Sequence, residues 1–177
     1  MRNTSAIRRV DDLGRVVIPK EIRESLRLIT GSAVLVSCDE HNQIIITKYS
    51  KIKNIMDFAK MCLDSFSGFQ DLTVYLCDLD KILAMNNEGK KHILDTPISK
   101  QLYTSLEGRE IQVRQNENMI HIHDTEDCKM GFCSQAIFPI ICNGDVCGGL
   151  ILITKKLTEN FDFAKPIHRF MCDYLSD

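Results

Sequence analysis

The stretch from Ile7 to Arg23 constrains the chain more than any other. Ile7–Val10 and Val16–Ile18 have strand character, and the polar, glycine-bearing Asp11–Gly14 between them suits a chain reversal. Pro19 has no N–H to give a sheet but fits the first position of a helix. The second strand is therefore expected to end there, and Lys20–Leu28 reads as a short helix with Ile22 and Leu26 on one face. Gly31 suits a left-handed cap, and Ala33–Cys38 and Gln43–Lys48 form two more strands around Asp39–Asn42. A unit of about 50 residues buries too little surface to fold alone. It carries no zinc or disulfide spacing, so a dimer is the expected solution. Arg8, Arg9, Arg15, Lys20, Arg23 and Arg27 flank its elements as cations free to bind something.

Asp11 to Arg23, extended back to Arg8, closely resembles the N-terminal DNA-binding domain of AbrB-type transition-state regulators. The resemblance implies an intertwined swapped-hairpin dimer on double-stranded DNA, with Arg8, Arg15 and Arg23 at positions that bear on the duplex. Glu24 stands where that family commonly has a basic residue. Guanidinium groups suit the task, because they stay charged and can clamp phosphates or guanine edges with two bonds at once.

Charge agrees with a basic head on an acidic body. Residues 1–53 carry +4 and residues 54–177 carry −6, within a net charge of −2. No apolar run approaches the roughly 18 residues of a membrane span, and the first residues lack the apolar core of a secretory signal. A cytoplasmic protein with no membrane partner is expected. The eight cysteines include no CxxC pair. Their nearest association with histidine is His121, His123, Cys128 and Cys133, whose spacing does not suit zinc. Cys62, Cys77 and Cys142 lie in apolar runs and read as small core residues, and neither a metal nor a cofactor is expected.

Lys51–Ser67 reads as an amphipathic helix with Ile52, Ile55, Met56, Ala59, Leu63 and Phe66 on one face. That stripe is either core of its own domain or a connector pairing with a second copy. Leu72–Cys77 and Ile82–Met85 are strands. Helices are expected over Glu88–Leu94 and Ile98–Leu106, split at Pro97, with Thr96 or Ser99 capping the second. Glu110–Arg114 and Met119–His123 read as strands. Ala136–Cys142 and Asp145–Thr154 flank Asn143-Gly144, the best hairpin turn in the chain. Pro139 implies a bulge or a missing partner, and Gly148-Gly149 a bend or a close approach. Phe163, Ile167, Phe170, Met171 and Tyr174 form the stripe of a last helix, with Pro166 in its first turn. This order is α+β, with a central antiparallel sheet.

The Pro139–Ile151 segment resembles a GAF domain. The chain then divides into a swapped-hairpin DNA-binding domain (1–50), a linker helix (51–67) and a GAF-like regulatory or oligomerisation domain (68–177). The combination is similar to the AbrB-headed sporulation regulators of spore-forming Firmicutes. That likeness implies a sequence-specific transcription regulator of forespore genes, with dimeric heads and a homotetramer through the C-terminal domains. GAF-like bodies often hold a small-molecule ligand, and Met85, Phe138 and Ile151 either line such a pocket or fill it as core. No Gly-rich phosphate loop, GxSxG or HExxH is present, and Asp78 and Asp80 read as a turn, so no catalytic residues are expected. The alternative is an antitoxin-like or scaffolding protein with an AbrB-type head. Such antitoxins carry a disordered arm, whereas residues 54–177 are patterned as a globular domain.

Overall fold

The computed structural model of the chain describes residues 5–26, 28, 30–86, 93–123 and 131–176. The chain divides into two compact units, Met1–Tyr49 and Ser50–Asp177.

The first unit contains helix α1 (Lys20–Ser25) and the hairpin β1 (Val34–Cys38)–β2 (Ile44–Lys48). Pro19 sits at the N-cap of α1 with φ −55°, one residue before the first helical position expected of it. The helix is shorter than its sequence pattern and closes at Leu26. The extended flanks Ile7–Val10 and Val16–Ile18 form no ladder among the described residues. Their expected strand pairing is therefore corrected to a closed turn with unpaired arms. A two-stranded ribbon is marginal in water without a third strand to lie against, and these residues offer none.

Antiparallel pairing of β1 with β2 sets Val34, Val36 and Cys38 on one face with Lys48, Ile46 and Ile44. That face is apolar, yet Val36 is 60% exposed and Ile44 75%. Among the described residues of this unit only Pro19 is buried. The first unit thus has secondary structure and apolar faces but no core of its own.

The second unit is built on a five-stranded antiparallel sheet, ordered β4 (Ile82–Met85), β3 (Leu72–Asp78), β7 (Asp145–Thr154), β6 (Ser134–Cys142) and β5 (Gln112–Gln115). Side chains alternate across it and seed two cores. On one face Val74, Leu76, Phe138, Ile140, Leu150 and Leu152 pack with α2 (Met56–Asp64) and α4 (Lys165–Tyr174). On the other, Tyr75, Cys77, Ile137, Ile151 and Ile153 pack with Leu102 and Leu106 of α3 (Lys100–Glu107) and with Ile93, Ile98 and Ile122. Ser99 caps α3 by accepting a hydrogen bond from the Leu102 N–H at 3.0 Å.

The stripe expected over Lys51–Ser67 is core. It opens as a 3₁₀ turn, Lys51–Ile55, and Ile52, Ala59, Leu63 and Phe66 are buried against the sheet. Asn143 and Gly144 take φ of +53° and +82°, the left-handed pair that a tight hairpin demands. Pro139 is tolerated because β5 pairs with β6 only as far as Ile137. A bulge follows between Ile140 and Ile141.

Three expectations are corrected. Met119–His123 is not a strand: Ser99 and Gln101 meet the backbone of His121 and Ile122, and Ile120 is met by the buried Gln135 side chain. The Gln135 amide accepts from the Ile120 N–H at 2.9 Å and donates to the Ile120 carbonyl at 3.1 Å. Cys142 is not a plain core thiol but forms a disulfide with Cys147, because the hairpin turn sets the two on neighbouring strands with Cα atoms 6.4 Å apart. Of the expected last-helix stripe, Phe163 lies in the 3₁₀ turn before α4, Met171 is buried and Ile167 partly so, while Phe163, Phe170 and Tyr174 are exposed. Most of the expected Glu88–Leu94 helix, and Cys128 with it, lie outside the described residues.

Candidate nucleic-acid interface

The site is the turn Asp11–Arg15 and the helix that follows it. Its local geometry rests on one carboxylate. Asp11 Oδ1 accepts from the backbone N–H groups of Leu13 at 3.0 Å and of Arg15 at 2.8 Å. The Asp11 N–H donates to the Arg15 carbonyl at 3.0 Å, and the Gly14 N–H to the Asp11 carbonyl at 2.9 Å. Gly14 holds φ +74°, which a residue with a side chain adopts reluctantly. The second carboxylate oxygen, Oδ2, takes the Nε–H of Arg15 at 2.8 Å. These bonds lower the Asp11 pKa, the Arg15 backbone N–H most and its guanidinium next.

The same turn occurs a second time. Asp39 Oδ1 accepts from His41 N–H at 2.9 Å and Gln43 N–H at 2.8 Å, its own N–H reaches the Gln43 carbonyl, and Asn42 takes φ +59°. Asp39, Asn42 and Gln43 thus stand where Asp11, Gly14 and Arg15 stand in the first. Only the first turn carries a guanidinium.

Arg8, Arg9, Arg15, Lys20 and Arg23 are all exposed, along one stretch of turn and helix. Arg8 donates from Nη1 to the Ile7 carbonyl at 2.9 Å. Lys20 Nζ lies 3.6 Å from the Glu24 carboxylate, so the acidic residue at the family's commonly basic position sits beside one candidate cation as an exposed pair. Among the described residues Arg9 and Arg23 form no ion pair. Arg27 lies outside the described residues. Among the described residues no bond joins one of these cations to another; what places Arg15 is Asp11, which sequence reasoning treated only as turn material. The signal was there: aspartate, then glycine three residues on and arginine four residues on.

The body offers less to a ligand. Phe138 lies in the core on the α2/α4 face, while Met85 and Ile151 belong to the opposite core. The three therefore cannot line one pocket, a correction that follows from strand alternation. Burial raises the pKa of the Cys77 thiol, in keeping with an inert core residue. Among the described residues no group of three or more His, Cys, Asp or Glu could hold a metal ion, and no helix is long and apolar enough to cross a membrane.

Comparisons with known proteins cover both units. The family described as stage V sporulation protein T C-terminal, transcription factor, matches residues 54–175. The family described as antidote-toxin recognition MazE, bacterial antitoxin, matches residues 7–54. Stage V sporulation protein T of Bacillus subtilis (strain 168) is 34% identical over 158 residues, 89% of this chain and 88% of the relative. Transition state regulatory protein AbrB of the same organism is 43% identical over 49 residues, 28% of this chain and 50% of the relative. Among solved structures, the GAF domain of a two-component sensor histidine kinase from Bacillus halodurans matches with a TM-score of 0.50 at 14% identity, over 70% of this chain and 90% of that one. A GAF domain region from Geobacter sulfurreducens PCA gives 0.50 at 12%, over 71% and 93%. The last two show the fold of the body alone.

An AbrB-type head carrying exposed arginines on a GAF-fold body defines a DNA-binding transcription regulator. The chain belongs to the stage V sporulation protein T family.

Proposed function

We propose that the chain is a homodimeric, sequence-specific regulator of sporulation genes, cytoplasmic and acting on the nucleoid of the forespore, rather than an enzyme. The observation that carries this reading is the coreless first unit. It presents strand faces whose apolar residues are exposed among the described residues, and it carries a run of exposed arginines. A second copy covers the apolar faces, and pairing the heads doubles every cation. Arg8, Arg15 and Arg23 make the principal contacts to double-stranded DNA, with Arg9, Lys20 and Arg27 adding to the field.

In this reading residues 1–50 bind DNA, 51–67 connect, and 68–177 oligomerise or sense a signal. Support for oligomerisation lies on the outer side of α2 and α4. Phe58, Phe170 and Tyr174 group there with ring centroids 4.9 to 6.0 Å apart, and Phe69 stacks on Phe163 at 5.5 Å. Phe69, Phe163, Phe170 and Tyr174 are all at least 42% exposed, aromatic surface of the kind that marks an interaction site. A second copy of the body covers it and makes the tetramer. A small-molecule ligand of the body would show as a rise in melting temperature in a screen of nucleotides and metabolites.

The antitoxin reading is favoured by the family match over residues 7–54. A body of five paired strands with two cores is the opposite of a disordered arm, so the regulator reading prevails.

Titration of a fluorescent duplex at several salt concentrations tests the site. Arg15→Ala removes one cation from the duplex surface per chain, two per dimer. The slope of log K against log salt is expected to become shallower by about 1.8. An unchanged slope and affinity would remove Arg15 from the interface.

A further inference from the structure

We propose that Asp11 is a positioning residue for base recognition: its carboxylate holds the Nε edge of Arg15 so that the Nη1/Nη2 edge faces the paired acceptors of a guanine. The inference rests on the DNA-binding reading of the head and goes beyond it, from the residue that touches DNA to the one that aims it.

The two turns of the first unit supply the argument. Both are built by one carboxylate oxygen accepting two backbone N–H groups, at closely similar distances. The turn at Asp39 closes with no guanidinium at its fifth residue, so the bond from Arg15 Nε to Asp11 Oδ2 is not what closes the turn at Asp11. Nor is it there for stability. The Arg15 side chain is 70% exposed and that of Asp11 43%, and exposed ion pairs contribute little.

What the bond does is fix a flexible side chain. A guanidinium donates from two edges. With Nε engaged, the end-on fork of Nη1 and Nη2 projects away from the turn, and none of its donors has a partner among the described residues. A phosphate accepts a cation from many directions, and lysine also serves it as a point charge. An oriented fork matters for a planar target with two acceptors side by side, and guanine O6 and N7 in the major groove are that target. Holding such a group in place before binding is what a supporting residue achieves.

The test uses the full-length protein and two duplexes, one selected by the wild type from a randomised pool and one of the same composition in shuffled order. Asp11→Asn keeps the Oδ1 acceptor and loses the grip on Nε. Arg15→Lys keeps the charge and loses the fork. Each is expected to lower the preference for the selected duplex about tenfold. Affinity for the shuffled duplex should stay level, or rise for Asp11→Asn, which removes a negative charge. Because Asp11 acts through Arg15, the double variant should lose no more preference than either single one. Wild-type protein that binds neither duplex would defeat the DNA-binding reading itself. If the wild type binds and discriminates, three results overturn the positioning role alone: preference retained in either variant, an equal loss on both duplexes, or a head that unfolds in Asp11→Asn.

Discussion

Gly148→Ala is expected to destabilise the second unit by about 3 kcal/mol, the upper end of what overpacking costs. A methyl group built at Gly148 would lie 2.1 Å from the Cys77 carbonyl oxygen, 2.8 Å from the Asp78 Cα and 2.5 Å from the Ile52 Cδ1. Two of those neighbours are backbone of β3, the strand paired to β7 at this point. They cannot rotate away, so the sheet itself would have to spread. Gly149→Ala is the control. Its methyl group would meet the Leu106 Cδ2 at 2.4 Å, the end of a side chain that can change rotamer, and the nearest backbone atom is 3.4 Å away. That substitution should cost about 1 kcal/mol. Thermal unfolding should show the Gly148 variant melting roughly 10 °C below the wild type and the Gly149 variant only a few degrees below. Equal shifts would mean that β3 gives way as easily as a leucine.

The second large effect falls on the head. Val36 lies on the apolar face of the β1–β2 hairpin, opposite Ile46, and is exposed in the single chain. If a second copy covers this face, Val36→Asp buries a carboxylate twice in each dimer. Several kcal/mol of desolvation should then break the paired head. Duplex affinity is expected to fall at least about a hundredfold, since each 1.4 kcal/mol is a factor of ten. The melting of the second unit should not change. Thr47→Asp, on the opposite face beside Leu35, should be far milder. A Val36→Asp protein that binds duplex like the wild type would show that the apolar face is not an interface.

The body could be read from its sequence almost strand by strand, because its strands alternate cleanly and their turns carry Asn143-Gly144 and Asp78-Leu79-Asp80. Gly148-Gly149 announced a close approach, and the β3 backbone is what approaches. Met119–His123 misled because its alternation is that of a strand, while its backbone is met by Ser99, Gln101 and the Gln135 amide, long-range partners that no local pattern reveals. The exposed Phe170 and Tyr174 share the helical spacing of buried Met171, so periodicity placed all three on one stripe without showing which would be covered. In the head, the cations were legible as residue types and as a family likeness. The Asp11 clamp left only a spacing, glycine three and arginine four residues on, because the bond itself depends on which oxygen meets which donor. Strand pairing of Ile7–Val10 with Val16–Ile18 failed for a related reason: a ribbon's partners need not lie within its own chain.

The central claim is that paired heads bring arginines to a duplex. Titrating the intact protein with a fluorescent double-stranded DNA between dilute and physiological salt tests it most directly. Six arginines at the duplex, three from each chain, predict that log K falls against log salt with a slope of about −5. A slope near zero, or no binding even in dilute salt, would contradict it.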